Sequence, residues 1–161
     1  MIELRKLSFD NWNEIADLKV ADNQVAFVEI SNLYQIAELH IYTTNNHPAI
    51  GYGIYADDVP VGFVRYSYWK WNDAVADEPM TGNYVYFIDL MMIDENHQGK
   101  GYGKLAFGKL VELIKKKPYG ESKYLGIGYS SENIPAKNLY ASFGFVESVH
   151  DGDKQYAYLE I

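Results

Sequence analysis

The chain of 161 residues has no cysteine. That excludes a disulfide framework, a thiolate metal site and a cysteine nucleophile. No apolar run is long enough to span a bilayer. The opening stretch Met1-Ile2-Glu3-Leu4-Arg5-Lys6 lacks the apolar core of a secretory signal. A cytoplasmic protein with no membrane partner is the expectation. Internal repeats, low-complexity segments and linkers are also missing. Positive charge is in the minority, with 14 Lys and Arg against 22 Asp and Glu and a net charge of -8. A nucleic-acid partner needs a basic footprint, which such a surface does not offer. Its field attracts cationic ligands from a distance, although the same charge also serves plain solubility. The four histidines, His40, His47, His97 and His150, have no metal-ligand spacing, so no metal is expected.

What is present is a globular composition. Apolar residues make up 48% of the chain, enough for one domain over residues 1–161 with a sizeable core. The 15 tyrosines either line a cation site or occupy half-buried strand positions. Periodicity predicts a strand at Ile2–Leu7. A helix carrying Trp12, Ile15, Leu18 and Val20 follows, broken at Asp22-Asn23-Gln24. A second helix runs over Asn32–Ile41, with Leu33, Ile36, Ala37 and Leu39 at helical spacing. Strands are predicted at Ala49–Ala56 and Val61–Tyr68, joined at Asp57-Asp58 as a hairpin. Trp69–Asn83 reads as a polar loop. Tyr84–Ile93 reads as a long central strand. A helix at Gly103–Lys117 is closed by Lys115-Lys116-Lys117-Pro118. Beyond it lie a strand at Tyr124–Tyr129, a helix at Glu132–Ser142 and a last hairpin of Phe145–Val149 with Gln155–Glu160. The order is β-α-α-β-β-β-α-β-α-β-β, an α/β chain with a mixed sheet flanked by helices.

The most informative stretch is His97-Gln98-Gly99-Lys100-Gly101-Tyr102-Gly103-Lys104. A strand, a glycine-rich turn and a helix start together make an anion site. Glycines permit backbone conformations that a Cβ forbids, and the free N–H groups of a first helical turn point at a phosphate. Lys100 and Lys104 add charge, and His97 lies beside them. The spacing fits neither a dinucleotide fingerprint nor a P-loop. By itself, the glycine pattern also suits a simple strand-to-helix turn.

The pattern Gln98-x-x-Gly101-x-Gly103 resembles the acyl-CoA pyrophosphate loop of the GCN5-related N-acetyltransferases. A second segment, Asn133-Ile134-Pro135-Ala136-Lys137-Asn138-Leu139-Tyr140-Ala141-Ser142-Phe143-Gly144-Phe145, is similar to that family's N-x-x-A-x-x-L-Y-x-x-x-G-F. The resemblance spans nearly the whole chain and implies the acyl-CoA N-acyltransferase fold, with acetyl-CoA as co-substrate. It implies cofactor contacts from Gln98, Gly99, Lys100, Gly101, Tyr102, Gly103 and Lys104. A strand bulge would let Met91, Met92 and Ile93 bond the pantetheine arm. Asn133 would contact the same arm, and it also suits a helix N-cap. Tyr140 would protonate the departing thiolate, or else pack at the core edge. The resemblance also admits a homodimer paired through sheet edges.

An alkylamine acceptor is an ammonium ion at neutral pH, so the site needs a carboxylate. Asp89 interrupts an apolar strand, which is costly unless it is paired, for example with Arg65, or faces a cleft. Residues Asn23-Gln24-Val25-Ala26-Phe27-Val28-Glu29 resemble the N-Q-x-x-[FY]-[VI]-E run of bacterial spermine/spermidine acetyltransferases. That implies Glu29 and Asp89 as catalytic and substrate-binding acids for a polyamine or diamine. Asp73, Asp77 and Glu78 either overhang the acceptor cleft or are solvated surface charges. The rival readings are the same chemistry on a protein N-terminus, lysine or aminoglycoside, and an acyl-CoA-binding sensor without catalysis.

Overall fold

A computed structural model describes residues 1–28, 30–71 and 79–161. Its strands are β1 Ile2–Lys6, β2 Ala49–Ala56, β3 Val59–Lys70, β4 Tyr84–Ile93, β5 Tyr124–Ser130, β6 Val146–Asp151 and β7 Lys154–Glu160. Its helices are α1 Trp12–Ala16, α2 Asn32–Thr44, α3 Tyr102–Ile114 and α4 Ile134–Ala141. The strands form one seven-stranded sheet in the order β1-β2-β3-β4-β5-β7-β6. Every neighbouring pair is antiparallel except β4 with β5. This is the mixed sheet flanked by helices that the element order predicts.

The parallel pair governs the rest of the architecture. It is short, joining Val85–Ile88 to Tyr124–Ile127. Beyond Ile88, β4 stays with β3 and β5 stays with β7, and the two strands part company. The cause lies in the β3–β4 register. Tyr66 faces Ile88 and Arg65 faces Leu90, leaving Asp89 as the extra residue. A bulge of this kind bends its strand and increases the local twist. It also shifts the alternation of faces. Tyr86 and Ile88 point into the main core, and so do Met91 and Ile93 after the bulge. Leu90 and Met92 pack on the opposite face with Ile15 and Phe63. The edge of β4 that faces β5 therefore lacks a strand partner over Asp89–Ile93.

The main core lies between the sheet and α3 with α4. Ala106, Phe107, Leu110, Val111 and Ile114 share one face of α3 at helical spacing and are buried. Each large apolar side chain there contributes about 1.5–3 kcal/mol by leaving water. Ala136, Leu139 and Phe143 are half-buried against the same core. The other face carries α1 and α2, with Ile15 beside Ile36 and Leu39.

Several sequence expectations need correction. The first helix ends at Ala16, and Leu18 and Val20 lie beyond it. Here the chain leaves the helix to bond elsewhere: the Lys19 N–H donates to Asp94 Oδ2 and its carbonyl accepts from the Glu95 N–H. The stretch expected to break that helix is itself a 3-10 turn, Asp22–Phe27. Leu33 is exposed, so the apolar face of α2 is narrower than its spacing suggests. Trp69 and Lys70 belong to β3, and Trp71 is buried, stacked on Phe87 at 5.0 Å. Aromatic packing thus extends the sheet into what reads as a polar loop. The remainder of that loop, with Asp73, Asp77 and Glu78, lies outside the described residues. Several tyrosines pack along the core face of the sheet: Tyr52, Tyr66, Tyr68, Tyr84 and Tyr86 form a chain of ring contacts across β2, β3 and β4.

Candidate active site

The parting of β4 and β5 leaves a run of three cavities. The first, about 310 Å³, is lined by Met91, Met92, Ile93, His97, Gln98, Gly99, Gly101, Tyr102, Gly103 and Asn133, with Val20, Gln24, Phe27 and Val28 opposite. The second, about 80 Å³, holds Asp89, Met91, Asn133 and Tyr140 together. The third, about 340 Å³, is lined by Gln35, Asp89, Tyr129, Ser130, Asp153 and Lys154 among others. Met91 and Asn133 are common to the first and second, and Asp89 to the second and third. The small cavity is therefore the junction of the other two.

The loop end is built for an anion. Gly99 and Gly101 have φ of +73° and +77°, a region that costs other residues roughly 1–2 kcal/mol. A Cβ on either would meet nothing within 4 Å, so the loop borders open space. Gly101 is the N-cap of α3, and the helix's first N–H groups and dipole face outward there. These features fit a pyrophosphate. Lys100 is exposed and turns back to the Asn96 carbonyl at 3.2 Å. Lys104 is exposed too, and neither lysine lines the cavity. Gln98 lines it, but its amide N–H groups are engaged. Nε2 donates to the Ile93 carbonyl at 2.9 Å and to Gln24 Oε1 at 2.7 Å, while Gln24 Nε2 donates back to Gln98 Oε1 at 3.2 Å. This reciprocal amide pair ties the 3-10 turn to the loop. Gln24 stands in the N-Q-x-x-[FY]-[VI]-E run, and nothing local to that run reveals its partner. Asp94 braces the same junction. Its burial opposes ionisation, but N–H donors from Lys19 and Asn96 prevail and hold its carboxyl below the ordinary range.

Asn133 is the N-cap of α4, where its Oδ1 accepts from the Ala136 N–H at 3.2 Å, and it also lines the first two cavities. Tyr140 is 7% exposed and packs against Phe107, Tyr129 and Phe145. No described residue hydrogen-bonds its hydroxyl. Burial raises its pKa, so the phenol stays protonated.

Asp89 is half-buried at the bulge. Desolvation pushes its pKa up to about 6, against the opposing pull of Arg65 and of the Ser67 hydroxyl, which donates to Oδ1 at 3.1 Å. The alternative pairing with Arg65 is not formed. The Arg65 guanidinium donates to the Gln35 carbonyl at 2.9 Å and pairs with Glu38 at 2.6 Å. Asp89 is thus left facing the cleft. Glu29 lies outside the described residues.

This geometry has counterparts. The model of the acetyltransferase (GNAT) family matches residues 12–145. The spermine/spermidine N(1)-acetyltransferase of Bacillus subtilis is 31% identical over 146 residues, covering 89% of this chain and 87% of the relative. Among solved structures, spermidine N-acetyltransferase from Vibrio cholerae in complex with CoA and spermine superposes with a TM-score of 0.70 at 18% identity, covering 99% and 95% of the two chains. Aminoglycoside acetyltransferase AAC(6')-Ib in complex with coenzyme A gives a TM-score of 0.72 at 18% identity, with the same coverage of 99% and 95%. The chain belongs to the GNAT family and is an N-acetyltransferase.

Proposed function

We propose that this enzyme transfers acetyl from acetyl-CoA to a primary amine of a polyamine or diamine, such as spermidine or spermine, with both substrates bound at once. The observation that carries this reading is Asp89 at the junction of the two larger cavities, in the small cavity that Tyr140 also lines. The name of the Bacillus subtilis relative supports the choice of amine. A carboxylate with a pKa of about 6 is ionised at neutral pH, so it attracts an ammonium ion, and it is more basic than an ordinary aspartate. Glu29 would be the second acid on the cationic chain.

Each residue then has a task. Gly99 to Lys104 and the first turn of α3 hold the pyrophosphate. The open edge of β4 at Met91, Met92 and Ile93 bonds the pantetheine amides as an added strand would, with Asn133 opposite. Backbone N–H groups on that edge polarise the thioester carbonyl. Asp89 or Glu29, directly or through water, accepts the proton of the amine. Tyr140 gives its proton to the sulfur as CoA departs.

The test is CoA thiol release with acetyl-CoA and a panel of spermidine, spermine, putrescine, lysine, aminoglycosides and a peptide N-terminus. Release with spermidine or spermine is the expected result. Release with a different amine alone would replace the acceptor and keep the chemistry.

A further inference from the structure

Lys154 opens β7 and is paired with Ser130 at the end of β5. It lines the cavity that holds Asp89. It reaches there because residue 128 is glycine: a Cβ at Gly128 would come within 2.7 Å of Lys154 Cε. The lysine stem therefore lies across β5 at a residue that also lines the junction cavity with Tyr140 and Met91. Its ammonium sits over the Tyr156 ring, 5.4 Å from the centroid. Among the described residues no carboxylate pairs with it. The residue is exposed, so its end is free to swing between that ring and the strand gap.

An unpaired primary alkylamine beside Asp89 has the chemistry of the acceptor itself, and it is tethered there, which raises its effective concentration. We infer that the enzyme acetylates its own Lys154. This inference rests on the reading of the Asp89 cavity as the acceptor site. The ammonium first loses one proton to Asp89 or to water. The lysine Nζ then forms a bond to the acetyl carbonyl carbon, and the carbon–sulfur bond of acetyl-CoA breaks. The nitrogen sheds a second proton to solvent, and the departing sulfur takes one from Tyr140, which solvent restores. The products are an N-acetyl-lysine amide and free CoA, with one net proton released and no oxidant or reductant required. The modification removes the cation that shares the cavity with Asp89 and so leaves that carboxylate to an incoming ammonium.

The experiment is incubation of the purified full chain with acetyl-CoA alone, followed by peptide mass spectrometry over time. Spermidine-dependent thiol release is measured on the same preparation. The expected result is acetylation of Lys154 about 100-fold faster than of the exposed Lys109 on α3 and Lys116 just beyond it, a margin that a tethered and positioned amine readily supplies. The rate per molecule should not depend on protein concentration, and the label should vanish in Lys154→Arg. Labelling of Lys154 no faster than of Lys109 and Lys116 would overturn the inference, as would a rate that rises with protein concentration. Spermidine turnover without Lys154 labelling would sink this inference alone and spare the acceptor reading. Failure of both, with no other amine in the panel used, would overturn both. Labelled Lys154 without spermidine turnover would uphold the inference and remove spermidine as the acceptor.

Discussion

The glycine-rich wall of the first cavity draws on one stretch of chain, Ile93 to Gly103, whereas the far end of the cleft draws on Gln35, Asp89, Ser130 and Lys154 from four separate elements. At the loop end, backbone geometry does the work: two left-handed glycines and a helix start. At the far end, side chains do it: a carboxylate raised by burial, a hydroxyl, and a lysine over a ring. On the proposed reading, the difference suits one end to a constant cofactor and the other to a variable acceptor. Backbone N–H groups offer the same donors whatever the side chains are, while a side-chain site changes with each substitution.

Substitutions should separate the two ends, and the largest effect belongs to the point where they meet. Tyr140→Phe should lower kcat by about 1,000-fold, within the range of a lost acid, with little change in the KM for acetyl-CoA. Because no described residue bonds that hydroxyl, thermal stability should hardly move; unchanged turnover would remove Tyr140 as the acid.

Asp89→Asn should cut kcat/KM for the amine by about 100-fold while sparing acetyl-CoA binding. The wild-type profile should lose activity as pH falls through about 6, and the variant should lack that limb. Stability moves the other way. The folded-state pKa of Asp89 lies above its unfolded value, so the group stabilises the fold fully below pH of about 4 and loses that contribution as pH rises through about 6. The amide avoids this loss, so the variant should gain up to about 3 kcal/mol at neutral pH. Equal loss across all amines with lowered melting temperature would mean damage to the fold.

Gly101→Ala places a Cβ at a φ of +77°. It should cost about 1–2 kcal/mol of stability and raise the KM for acetyl-CoA about tenfold, leaving amine preference intact. A shift in amine preference would break the division between the ends. The smallest effect should come from Gln24→Ala. It unties the amide pair with Gln98 and should raise the KM for acetyl-CoA about threefold, consistent with a lost net hydrogen bond of about 0.5–1.5 kcal/mol. Isothermal titration with CoA checks both.

Much of the loop end was legible because it is local. Glycine spacing after an apolar strand and before an amphipathic stretch specifies a strand, a turn and a helix within a few residues. On α4 the buried residue is Tyr140, with Ala136 and Leu139 half-buried against the same core, and Tyr140 also lines the junction cavity. The far end was legible only as a suspicion about Asp89, a charge in an apolar run. Three facts were out of reach. Arg65 is committed to Glu38 and Gln35 on α2, and Gln98 is committed to Gln24. Gly128 makes room for Lys154.

The sequence by itself determined the order of elements, the glycine-rich turn between a strand and a helix, and the presence of a carboxylate in the central strand, because each follows from neighbours in the chain and their periodicity. Only the tertiary structure decided that the strand bulges at Asp89, that β4 and β5 separate beyond Ile88, and that Tyr140, Asp89 and Lys154 share the resulting cleft. Strand register is set by pairing across distant segments, and a shift of one residue reverses which face a side chain takes.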